Sequence, residues 1–213
     1  MKQYSPILFS FLLLALCLTA ACAWDNPSPA PGNASSSSAG EPGESSAVAV
    51  SDAIPFSQAV TQYAGNAGLS YQAARTAFPE PAEEAHYRIL SLPLSVTASY
   101  TPCLILYCAV SEADASLASV DAIQLLQQEG NTSQQNRSFH GDIQVWLRGN
   151  TQLEYVINGD FYNGGTTTAL ASGLPIGPGQ AGRVTLSLHG SRVPPHLQYF
   201  YDHKTLSLSS AMA

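Results

Sequence analysis

The sequence predicts a mainly β protein: an antiparallel immunoglobulin-like or jelly-roll-like sandwich of about eight strands, preceded by a small two-helix unit. Three observations predict it. Residues 139–162 alternate apolar and polar side chains through two consecutive runs, the period-2 mark of strands with one buried face. Beyond residue 85, short apolar runs are separated by turn residues, with connections too short for the crossovers that parallel strands need. Helical spacing appears instead at residues 56–78.

At the start of the chain, Lys2 precedes an apolar run from Ile7 to Leu18 that ends in small residues. A basic start, a short apolar stretch and a small-residue exit make a secretory signal, assigned here to residues 1–23. The run is shorter than the roughly 20 residues a membrane span requires. Two exits compete. Ala21-Cys22-Ala23 fits an A-x-A cleavage that leaves Trp24 first. Leu18-Thr19-Ala20-Ala21-Cys22 resembles a lipobox, in which Cys22 becomes the lipidated first residue, with Thr19 where Leu is usual. The protein is thus expected outside the cytoplasm, either secreted or anchored to a membrane through that lipid. Residues 24–47 are dominated by Pro, Gly, Ser and Ala, which cannot offset chain entropy, and read as a disordered spacer.

The remaining segment of about 165 residues suits one domain with a real core. Eight Lys and Arg stand against fifteen Asp and Glu, and Lys2 leaves with the signal. So acidic a chain has no basic patch for nucleic acid or anionic lipid. Of four cysteines, Cys103 and Cys108 lie in the folded part. On one strand their sulfurs would point to opposite faces, roughly 17 Å apart, so they are expected as buried free thiols.

Residues 48–81 hold the helical unit. Phe56, Ala59, Val60 and Tyr63 keep helical spacing, Gly65 and Gly68 should break it, and Ser70 can cap a second helix through Phe78. The stretch VTQYAGNAGLSYQAARTAF resembles a helix-turn-helix, but at the positions that pack two helices together. Arg75 is the only cation on the would-be reading helix, so a cap on the β domain is expected rather than a DNA reader.

Residues 82–213 form the sandwich. Leu90 to Tyr100 alternate as a half-buried strand, with Pro93 suggesting an edge. Cys103 to Val110 is apolar on both faces and reads as a central strand. Residues 116–126 have helical propensity in a strand context and are assigned to strand. Phe139, Ile143, Val145 and Leu147 then face inward, with His140, Asp142, Gln144, Trp146 and Arg148 outward. Gly149-Asn150 turns the chain into a partner strand carrying Leu153, Tyr155, Ile157 and Phe161. Asn163-Gly164-Gly165 suggests a second tight return, with Thr166, Thr167 and Thr168 pairing back. Val184, Leu186 and Leu188 mark a further strand, and Leu197 to Leu208 the last, with Leu197, Tyr199 and Tyr201 on one face.

Candidate ligand-binding residues are Trp146, Asn158, Asp160, Tyr162 and Asn163. Trp146 is large for the polar face of its strand unless another layer covers it. Asn158, Asp160 and Asn163 put oxygens at a strand end, at a spacing that misses the calcium-loop pattern. No metal spacing is found among the five histidines, no nucleophile elbow is present, and no cofactor is implied. Asp142 and Glu154 could approach each other on the solvent side, where solvation is the commoner role.

The run LEYVINGDFYNGGTTT, followed by GLPIGPGQAG and YFYDHKT, resembles a group of uncharacterised exported proteins of Gram-positive bacteria. The resemblance implies an extracytoplasmic β-rich protein and brings no activity with it. Three roles follow in order of expectation: a surface or secreted module binding a glycan or protein; a structural component of the cell envelope; a hydrolase whose site the sequence hides. Export predicts that the mature protein begins at Cys22 with its lipid or at Trp24. The intact mass of protein from its native host separates the two, and a mass retaining residues 1–21 would overturn export.

Overall fold

The computed structural model describes residues 48–78, 85–111, 116–127 and 137–208. The expected export signal with Cys22, the expected spacer, the acidic link after Phe78 and the polar loop before Arg137 lie outside the described residues. The fold is mainly β, with two antiparallel sheets and two helices. The first sheet contains β1 (Ala49–Val50), β2 (Ile54–Pro55), β3 (His86–Pro93), β4 (Cys103–Val110) and β5 (Leu117–Leu126). Its order is β1-β3-β4-β5, with β2 also on β3. The second contains β6 (Arg137–Leu147), β7 (Gln152–Asn163), β8 (Thr166–Ser172), β9 (Ala181–His189) and β10 (His196–Ser207), in the order β10-β7-β6-β9-β8. The chain completes one sheet before it begins the other.

β4 explains the layering. Its Leu104, Leu106, Cys108 and Val110 enter the core between the sheets. Ile105, Tyr107 and Ala109 enter a second core, beneath α1 (Phe56–Ala67) and α2 (Tyr71–Ala77). A strand apolar on both faces must be covered twice, and the helices supply the second cover. Ser70 caps α2, its hydroxyl accepting the Ala73 N–H at 3.2 Å, and Gly68 ends α1 with φ at +64°. Gly65 stays inside α1 rather than breaking it. One helical glycine costs about 1 kcal/mol, less than burial of Ala59, Val60 and Ala64 returns. Among the described residues no helix is long and apolar enough to cross a membrane.

Phe78, at the end of α2, locks the helices down. Its ring centre lies 5.7 Å from Phe56, 5.7 Å from Tyr63, 5.4 Å from Tyr87 and 5.6 Å from Tyr107. All four contacts are edge-on, the arrangement ring quadrupoles favour.

Residues 117–126 are a strand, as their context suggests, and a bulge accounts for their mixed pattern. Tyr107 stands opposite Ala122 and Cys108 opposite Val120, leaving Asp121 as the extra residue. The buried Asp121 carboxylate accepts the Tyr87 hydroxyl at 2.6 Å and also the Ser119 hydroxyl. Burial, then the neighbouring carboxylate, push the Tyr87 phenol well above its usual range. Cys103 and Cys108 are free, half-buried and buried, on opposite faces of β4. Burial raises both thiols, and Asp121 adds to the effect at Cys108.

Three local expectations are corrected. β3 ends at Pro93 and is flanked on both sides, by β1 and β2 and by β4, so it is no edge. Leu94, Val96 and Tyr100 are nonetheless buried, carried by a turn in which the Leu94 N–H donates to Pro102 O at 2.8 Å. Asn163-Gly164-Gly165 does not close a hairpin. Gly164 and Gly165 take the positive φ expected, +98° and +84°, but β7 is flanked by β6 and β10 while β8 pairs with β9. The twelve-residue β10 runs along the twelve-residue β7 and packs Leu197, Phe200 and Leu206 against the core, whereas β8 spans only seven residues. Finally, a bulge between His196 and Gln198 packs Leu197 against the core, while Tyr199 and Tyr201 face out.

Replacing Phe78 with Ala should cost about 3–5 kcal/mol, the range for a buried ring. Urea unfolding of the two proteins measures this, and a loss under 1 kcal/mol would show that the helical layer contributes little to stability.

Candidate functional site

Between its sheets the second sheet buries Phe139, Ile143, Val145 and Leu147 from β6, with Leu153, Tyr155, Ile157 and Phe161 from β7. Its other face is the polar one. Gly159 permits close approach of β6 and β7, because a Cβ there would lie 2.3 Å from His140 O and 2.6 Å from the tip of Phe139. The register across the polar face is then fixed. Trp146 stands between Glu154 on β7 and Ala181 on β9, and Gln144 between Val156 and Arg183. Asp142 stands between Asn158 and Thr185.

Neither the other sheet nor the helices cover Trp146, which is half-buried within its own face. Ala181 beside it is small, and a hollow of about 230 Å³ opens there, lined by Trp146, Gln144, Arg183, Ser172, Gly173, Ala181 and Gly182. The Arg148 guanidinium lies over the indole, 5.7 Å from the ring centre. Arg148 is itself held by Glu154, whose carboxylate accepts its Nε–H at 2.7 Å and meets His203 Nε2 at 2.9 Å. These hydrogen bonds, from Arg148 first and then His203, hold the Glu154 carboxyl below the usual glutamate range.

The polar groups lining the hollow are less committed. Among the described residues, neither the Gln144 amide nor the Trp146 N–H has a side-chain hydrogen-bond partner. Arg183 makes one loose contact, Nη1 to Asp142 Oδ2 at 3.6 Å, while Asp142 takes a closer bond from the Thr185 hydroxyl at 2.6 Å.

The other sequence candidates are not brought to Trp146. Asn158 and Asp160 share its face, but Asn158 is four residues from Glu154 along β7, about 13 Å away. They bind β10 instead. Tyr199 OH donates to Asn158 Oδ1 at 2.9 Å, and His196 Nε2 meets Asp160 Oδ1 at 2.8 Å. Tyr162 stands edge-on to His196 with ring centres 5.6 Å apart, and the Asn163 N–H donates to Pro195 O at 2.8 Å. Asp142 and Glu154 do not approach each other, since the same register separates them by about 14 Å. Among the described residues no group of three His, Cys, Asp or Glu could hold a metal ion.

A larger hollow, about 690 Å³, lies between the end of α1, β5 and β8. Much of its polar lining is already spent internally. Asn66 Nδ2 donates to Tyr107 OH at 2.9 Å, and Gln127 Nε2 to Thr167 Oγ1 at 3.3 Å. Gln144 and Arg183 were missed in the sequence reading. Gln144 was visible as the outward neighbour of Trp146 two residues away, whereas Arg183 joins it only through the β6–β9 pairing. Comparison with protein-family models, curated proteins and solved structures finds no match.

The depressed Glu154 carboxyl carries a sign. Its contacts to Arg148 and His203 are expected to persist on acidification through the ordinary glutamate range near 4.3 and to be lost only below it. A carboxyl NMR titration should place the Glu154 midpoint under that value, and Arg148→Met should move it back up. An ordinary midpoint in the unaltered protein would contradict the clamp on Arg148.

Proposed function

We propose that the domain is an extracytoplasmic, secreted or lipid-anchored binding module, and that its ligand is a glycan held against Trp146. One observation carries this reading: a ring-bearing side chain with an uncommitted N–H, an uncommitted amide and a guanidinium all line the same hollow. Sugar rings present C–H faces that stack on an indole and hydroxyls that bond to an amide, so this combination fits them. The sandwich places these groups on strands, which hold them more firmly than loops would. The secretory-type start of the chain agrees with a ligand outside the cell.

A second reading, a structural or assembly component of the envelope, is favoured by β8. Its residues 166–172 bear no charge, among the described residues it pairs only with β9, and Leu170 is 74% exposed. Such an edge can accept another strand.

Calorimetric titration of the mature protein with a panel of oligosaccharides tests the first reading. Trp146→Ala should weaken binding about tenfold or more while leaving the circular dichroism unchanged, because the ring lies outside the core. No binding by the unaltered protein, or binding indifferent to Trp146→Ala, would overturn it. Loss of self-association or partner pairing on Leu170→Lys would then favour the second.

A further inference from the structure

The lining of the Trp146 hollow also bears on which sugar it holds, an inference that rests on the glycan reading above. We propose that the hollow selects a sugar ring carrying a carboxylate, received by Arg183 with the Gln144 amide beside it. Arg183 stands opposite Gln144 in the β6–β9 register and opposite Ser172 in the β8–β9 register. All three line the hollow beside Trp146.

The guanidinium has five N–H donors in a planar fork, and its contact to Asp142 is a loose one of 3.6 Å through Nη1. Donors remain for a carboxylate, which a fork meets through two parallel hydrogen bonds. Asp142 does not close the site to an anion. It lies two residues from Gln144, away from Trp146, and its other oxygen is occupied by the Thr185 hydroxyl at 2.6 Å. The second arginine near the ring, Arg148, is bonded to Glu154 at 2.7 Å and lies over the indole without lining the hollow. One cation with spare donors therefore lines the cavity, alongside an aromatic face and a neutral amide.

Ligand size follows from total charge. The chain carries a formal net charge of -7, so a long polyanion gains repulsion with every further carboxylate. A single acidic ring, or a short oligosaccharide ending in one, gains the fork contact with little of that cost.

The experiment compares a glucuronosyl disaccharide with the neutral glucosyl disaccharide of the same linkage, titrated into the mature protein. The unaltered protein should prefer the acidic sugar about tenfold. Arg183→Met, exposed and outside the core, should bring the two affinities together by weakening the acidic one alone, and Arg183→Lys should restore part of the preference. Trp146→Ala should weaken both sugars. Equal affinities in the unaltered protein, or a preference that survives Arg183→Met, would overturn the acidic assignment while a Trp146→Ala loss keeps the glycan reading. Binding of neither sugar, or affinities untouched by Trp146→Ala, would overturn both.

Discussion

The double burial of the first sheet is the constraint on which the rest of the structure depends. β4 carries apolar side chains on both faces, so no arrangement with one face in water is open to it. The second sheet covers one face, and α1 and α2 cover the other. The helices are too short to be stable alone, and α2 spans only seven residues. What holds them is the ring cluster centred on Phe78, which joins both helices to Tyr87 on β3 and Tyr107 on β4. Of the residues behind the helix-turn-helix likeness of the segment, Ala64, Ala74 and Phe78 are buried in this layer, whereas Leu69 is exposed.

Once the helices are committed to the first sheet, the second sheet keeps one face in water. That face can therefore carry polar and aromatic groups that no core requires. It is divided in two. Toward the β7–β10 end, Asn158 and Asp160 are consumed in fastening β10, and Tyr162 lies against His196. Toward the β6–β9 end, Glu154 fastens Arg148 onto Trp146 and leaves Gln144 and Arg183 with donors to spare. Charge pairs this exposed add little to stability, so their consequence is mainly positional.

Much of the architecture was legible because side-chain alternation and two-sided burial are local properties. The sandwich, the two helices, the Ser70 cap, the central place of β4 and the β6–β7 pairing all follow from neighbours in sequence. The errors share a different origin. Asn163-Gly164-Gly165 has the backbone freedom of a hairpin turn, but a turn does not choose a strand's partner. The bulges at Asp121 and after His196 each insert one residue and reassign the side chains beyond it, which no periodicity count detects.

The candidate site shows the same division. By itself the sequence determined that Trp146 and Gln144 leave the apolar face of their strand together, because alternation along one strand needs no information from elsewhere. It also determined the acidic balance of the chain. Only the tertiary structure decided that Trp146 stays half-buried beside a hollow, that Arg183 comes beside Gln144, and that Asn158, Asp160 and Asn163 belong elsewhere. Those facts depend on which strands lie side by side. That order is settled by joint burial of Ile143, Val145 and Val184 across strands some forty residues apart in the chain.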